Sequence, residues 1–116
     1  MSKTDKRILI IDLDGTLCED IKNEDGATRM LAAKPFRETI RRVNRLRRNG
    51  HYVCIFTART DEHADATLRW LAKHKVGYDK IVFNKPRIHG YAGYYYVDNV
   101  NVGATHHGRH FHEGLL

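Results

Sequence analysis

The chain has 116 residues, 41% of them hydrophobic and 29% charged, with a formal net charge of +6. That is one ordinary globular domain, too short for two and neither fibrous nor disordered. Its apolar runs fall far short of the ~20 residues that cross a bilayer, and Cys18 and Cys54 are too few for a disulfide framework.

The charged N-terminus has no signal-peptide pattern, so a cytoplasmic protein with two free thiols is expected. Residues 7–12 read as a strand, a branched-aliphatic run ending in Asp12-Leu13-Asp14-Gly15-Thr16. Residues 18–34 have room for a flap or short hairpin, whose first half, from Glu19 to Gly26, is acidic. Over residues 35–49, Phe36, Ile40, Val43 and Leu46 recur at helical spacing, with Pro35 suited to a first turn and Gly50 to a C-terminal cap. The same helix carries Arg37, Arg41, Arg42, Arg45, Arg47 and Arg48.

Residues 51–57 form a second strand candidate. A second helix follows over about 62–74, with Ala64, Leu68, Leu71 and Ala72 as its apolar stripe and Trp70 as packing. Residues 80–83 read as a short third strand and 94–98 as a fourth, aromatic and β-branched residues suiting a pleated surface. From about 102 to 116 the chain is a His-rich tail (His106, His107, His110, His112) whose spacing fits no standard zinc motif. No repeat or linker interrupts this order, so residues 1–116 form one domain.

Alternating strands and helices, with apolar strands fit for burial on both faces, predict an α/β fold. The expected architecture is a single Rossmann-like domain with a mostly parallel central sheet flanked by helices and no cap domain. In such sheets ligands bind beyond the carboxyl ends of the strands. Three of the four strands end on Asp12, Thr57 and Asp98, and Lys85 follows the other by two residues.

Two carboxylates one residue apart repel unless a cation intervenes, and Mg²⁺ takes oxygen ligands of this kind. Asp98 can supply a further ligand, Lys85 can balance a bound anion, and the Thr57 hydroxyl can bind its oxygens. Gly15 permits a sharp turn under the site. Together these groups suit phosphoryl transfer: one carboxylate attacks phosphorus, and the other protonates the leaving oxygen and then activates water. Which carboxylate attacks is left open by the residues alone.

Asp12-Leu13-Asp14-Gly15-Thr16, Phe56-Thr57-Ala58-Arg59, Asn84-Lys85-Pro86 and Tyr96-Val97-Asp98 resemble the four ordered motifs of the haloacid dehalogenase superfamily. Small capless phosphatases of bacteria and phages, some linked to polysaccharide and sugar-phosphate pathways, are the most similar subgroup. The resemblance implies Asp12 as nucleophile and Asp14 as general acid/base. It implies Thr57 and Lys85 on the transferred group and Gly15, Thr16, Ala58 and Arg59 along the substrate. It also implies Mg²⁺ held by Asp12, the Asp14 carbonyl, Asp98 and Asn99. At Asn99 the family often has a second acid; an amide orients a metal-bound water without adding charge. The absent cap implies an open site, which a second subunit can cover.

The expected substrate is a small phosphorylated metabolite, a sugar phosphate for example. Two rivals stand beside it. The net charge and the arginine helix point to a phosphatase of nucleic-acid ends, although no stacking aromatics are interleaved with the arginines. Asn99 points to a phosphate- and metal-binding module with weak catalysis. For Arg59, a structural ion pair and a substrate phosphate contact are equal alternatives.

Overall fold

Branched aliphatic side chains favour extended backbone, and Ile8–Ile11 form strand β1. In a computed structural model, which describes residues 5–86, there follow a 3₁₀ turn at Asn23–Asp25, helix α1 (Gly26–Leu31), helix α2 (Arg37–Arg48) and strand β2 (Tyr52–Phe56). A second 3₁₀ turn at Asp61–His63, helix α3 (Ala64–Lys73) and strand β3 (Lys80–Val82) complete the order. The strand expected over 94–98, with Asp98 and Asn99, and the His-rich tail lie outside the described residues.

The three strands form one parallel sheet in the order β1-β2-β3, Ile8 lying opposite Tyr52 and Cys54 opposite Lys80. This is the expected α/β architecture. Side chains alternate across a strand, and Leu9, Ile11, Val53 and Ile55 are buried while Ile8 and Tyr52 are exposed. The inward set shares one core with Met30, Ile40, Val43, Leu46, Trp70 and Leu71. Among the described residues, therefore, helices cover one face of the sheet, and the expected burial on both faces is met on that one.

Helix α2 buries Ile40, Val43 and Leu46, as its spacing predicts. It stops because Gly50 takes φ +102°, which lets the Gly50 N–H reach the Arg47 carbonyl and the His51 N–H reach that of Leu46. This double bond pattern closes a helix on a left-handed glycine. It delivers the chain directly into β2.

In α3 the buried face differs from the expected stripe. Ala66, Thr67, Trp70 and Leu71 are buried, whereas Leu68 is exposed and so is Ala72. The helix turns to seat its indole, which carries the larger apolar area, and Trp70 Nε1–H donates to the Ala33 carbonyl at 2.8 Å.

The stretch between the first motif and α2 also differs from a simple hairpin. Its neck pairs as one: Cys18 bridges Pro35, Glu19 N–H donates to Lys34 O, and Phe36 N–H donates to Leu17 O. Between them, however, the chain winds into α1. Met30 and Ile21 are buried there, and a two-stranded flap would leave such side chains in water. Glu19 is pinned by Arg29 and by the Lys34 N–H, contacts that hold its carboxyl below the usual carboxylate range.

Trp70→Phe removes the donor and leaves the Ala33 carbonyl buried without a partner. The expected loss is about 1–3 kcal/mol, measured as a lower urea midpoint at unchanged slope.

Candidate active site

The site begins where β1 ends. Leu13, Leu17 and Cys18 are fully buried, and they anchor a tight loop in which Thr16 and Leu17 N–H donate to Leu13 O and Gly15 N–H to Cys18 O. Gly15 has φ +81°, with no atom of the described residues within 4 Å of where a Cβ would stand. Backbone conformation, not crowding, therefore calls for glycine here. The loop places Asp12 and Asp14 on either side of the Leu13 anchor.

The second and third motifs are laced together by backbone. Thr57 N–H donates to Val82 O, Lys85 N–H to Thr57 O, and Asn84 N–H to Arg59 O. The crossing needs a left-handed residue, and Asn84 supplies it at φ +65°; a short polar side chain tolerates that region best after glycine. The result returns Lys85 to the first motif, where its Nζ lies 3.1 Å from Asp12 Oδ1 and 5.6 Å from the Phe56 ring centroid. Asp12 Oδ1 also accepts the Leu13 N–H. Its other oxygen has no hydrogen-bond partner among the described residues, and the side chain is 45% exposed.

Asp14 has the opposite surroundings. Arg59 Nε–H donates to its Oδ2 at 3.0 Å and Nη2–H to its Oδ1 at 2.8 Å, with side-chain exposures of 1% for Arg59 and 8% for Asp14. Arg59 Nη1–H donates to Thr67 Oγ1 of α3 at 3.0 Å. Of the two alternatives for Arg59, the geometry is that of the structural ion pair. A planar fork matched to a carboxylate fixes both position and tilt. The Cys18 thiol lies 3.7 Å from Asp14 Oδ1, and burial, reinforced by Asp14, pushes it far above the ordinary thiol range. It is a protonated, inert packing group.

Thr57 is fully buried, and its Oγ1 accepts the Arg59 N–H at 3.1 Å, which leaves the hydroxyl proton to donate elsewhere. Asn23 ties the acidic segment to the same loop: its Nδ2–H donates to Ala58 O and its Oδ1 accepts the Thr60 N–H. Thus Asp12, Asp14, Thr57, Arg59 and Lys85 are brought together, and Gly15 and Thr16 lie in the loop that carries the two acids. Asp98 and Asn99 fall outside the described residues.

Mg²⁺ takes hard oxygen donors. The free Asp12 oxygen and the Asp14 backbone carbonyl are donors of that type, neither hydrogen-bonded among the described residues. In donor chemistry, then, the described part of the site offers two oxygens of the kind such an ion takes. No group of three or more His, Cys, Asp or Glu able to hold a metal occurs among the described residues.

For three residues, Thr67, Asn23 and the Asn84 of the third motif, the sequence predicts no positioning role. Thr67 had a signal, since it stands one helical turn before Trp70 and Leu71. Asn84, just before Lys85-Pro86, had a weaker one in its tolerance of left-handed backbone. Asn23 had none, because its partners lie 35 and 37 residues away.

No protein-family model and no curated protein matches the chain. Solved structures similar to it include a structural-genomics target from Vibrio cholerae, at 28% identity and a TM-score of 0.61, covering 79% of each chain. Another is a chain of the Pnkp1/Rnl/Hen1 complex, at 21% identity and a TM-score of 0.60 over 71% of this chain. This chain spans only 28% of the length of that one, and the likeness is one of fold. Both agree with the α/β architecture above.

Arg59→Ala leaves the Asp14 carboxylate buried without its cation, and the expected destabilisation is about 3–5 kcal/mol. Arg59→Lys recovers only part of it, because an ammonium cannot reproduce the fork. Chemical denaturation of the two variants beside the parent checks both statements.

Proposed function

We propose that the protein is a Mg²⁺-dependent phosphomonoesterase of the haloacid dehalogenase type, working through an aspartyl-phosphate on Asp12. The observation that carries this reading is the contrast between the two acids. Asp12, on a half-exposed side chain beside Lys85, keeps one oxygen unengaged among the described residues, while Asp14 has both oxygens on Arg59. An attacking carboxylate needs an unengaged oxygen within reach of phosphorus, and Asp12 meets that requirement. Bound Mg²⁺ would supply positive charge against the phosphoryl oxygens.

In the proposed reaction an Asp12 oxygen forms a bond to phosphorus as the ester P–O bond breaks. The Lys85 ammonium balances charge on the transferred group, and the Thr57 hydroxyl and Ala58 N–H donate to its oxygens. Asp14, a carboxylate on Arg59, takes up a solvent proton on a lone pair that Arg59 leaves open and gives it to the leaving oxygen; it then takes one from a water that attacks phosphorus, releasing phosphate and regenerating Asp12. Arg59 does not preclude this role. A carboxylate has about four lone-pair sites, and the guanidinium occupies one on each oxygen.

A small phosphorylated metabolite is the substrate class that needs only the Asp12–Lys85 end of the sheet. The exposed arginines of α2 favour a second, a phosphorylated nucleic-acid end.

Hydrolysis of an aryl phosphate is expected with Mg²⁺ and to fall to background with EDTA or in Asp12→Asn. Asp14→Asn is expected to lose about 10²–10⁴-fold in turnover. Steady-state kinetics on the parent and both variants test this. Turnover in Asp12→Asn equal to that of the parent would remove the aspartyl-phosphate mechanism. Binding of Mg²⁺ and BeF₃⁻ without any turnover would favour the non-catalytic module instead.

A further inference from the structure

Helix α2 holds six arginines, one glutamate and no lysine, a net +5 (6 − 1) against +6 for the whole chain. Two of the arginines are internally matched: Arg42 pairs with Glu38 at 3.7 Å and Arg47 with Asp79 at 3.1 Å. The other four, Arg37, Arg41, Arg45 and Arg48, are exposed and make no ion pair among the described residues. At 3.6 residues per turn they fall within an arc of ~80° and extend over ~16 Å. The stripe lies opposite Ile40, Val43 and Leu46, which face the core.

Like charges at i, i+4 destabilise a helix, and alternating signs would solvate the same face at no such cost. Guanidinium groups in place of ammonium groups supply planar forks suited to phosphate. The helix cannot lay an apolar face into a membrane, as an interfacial helix does, because that face is buried against the sheet. The two residues that lead into the helix join the loop of the two acids, since Phe36 N–H donates to Leu17 O and Pro35 bridges Cys18. A polyphosphate backbone laid along the stripe therefore runs up to the edge of the candidate active site.

We propose that the Arg37-Arg41-Arg45-Arg48 face of α2 binds the backbone of a nucleic-acid strand. Binding is through phosphate charge and without base preference, since no aromatic is interleaved on the stripe. Delivery of a phosphorylated strand end to Asp12 rests on the phosphatase reading; the binding itself does not.

The test uses the full chain and a fluorescein-labelled single-stranded 12-mer DNA bearing a terminal phosphate, followed by anisotropy from 50 to 200 mM NaCl. Four phosphate contacts predict a log–log salt slope of about −3, an affinity loss of roughly 50-fold over that range. Replacing the four arginines by glutamine is expected to weaken binding at least tenfold and flatten the slope. Circular dichroism and aryl-phosphate hydrolysis should stay as in the parent. Arg42→Gln with Arg47→Gln is expected to change binding much less. A flat salt response in the parent, or equal binding by the fourfold variant, overturns the proposal. So does tighter binding to phosphatidylserine vesicles than to the oligonucleotide. Hydrolysis of the aryl phosphate without oligonucleotide binding removes this inference and leaves the phosphatase reading intact. Salt-dependent binding without hydrolysis does the reverse.

Discussion

Arg59 is a guanidinium held at 1% exposure, a placement that is destabilising unless the charge is paired and its donors are met. Asp14 takes two of those donors and Thr67 a third. Three parts of the chain, distant in sequence, are thereby fixed to one another: the loop after β1, the exit of β2, and α3. A tether of hydrogen-bonded charges has narrow geometric tolerance, in contrast to apolar contact, which is non-directional. The same contact also turns the face of α3, because seating Thr67 on Arg59 places Trp70 and Leu71 in the core and Leu68 at the surface.

The pair divides the two acids of the first motif into different chemical kinds. Both leave the same loop, two residues apart, yet one is sealed under a cation and the other meets solvent beside a lysine. Among the described residues only Lys85 and the Leu13 N–H hold Asp12, both on one oxygen. Asp14 is oriented because so much holds it. The proposed two-step reaction would need low mobility in its proton donor and access in its nucleophile. The left-handed turn at Asn84 belongs to the same design: it brings the lysine back across the strand ends with two backbone bonds to the second motif.

Helix α2 works on two sides at once. Its inner stripe carries the core, and the helix as a whole has a net charge of +5 (6 − 1) beside +6 for the chain. Because the inner face packs on the sheet, the arginines are presented on a rigid rod, not on a loop, and their spacing is set by helix geometry. Its glycine-terminated end feeds β2, and the residues leading into it are bonded to the loop of the two acids, so its orientation relative to Asp12 follows from connections at both ends.

Much of this was legible in the residues. Branched aliphatic runs, helical spacing in α2, the Gly50 stop and the ordered polar residues at strand ends are local patterns, and local patterns carry fold class and candidate chemistry. The stripe of α3 was misread because periodicity counts apolar residues equally, whereas burial is decided by area and by partners such as the Ala33 carbonyl. The excursion before α2 was read as a flap because nothing in residues 18–34 states what Met30 and Ile21 will pack against. The sequence by itself determined the α/β order, the strand ends that carry Asp12, Thr57 and Lys85, and the charge of α2. Only the tertiary structure decided that both Asp14 oxygens are clamped while Asp12 is held through one, and that Asn23 and Thr67 position the site. Those are contacts between segments far apart along the chain, and their energies depend on geometry and burial that no local pattern encodes.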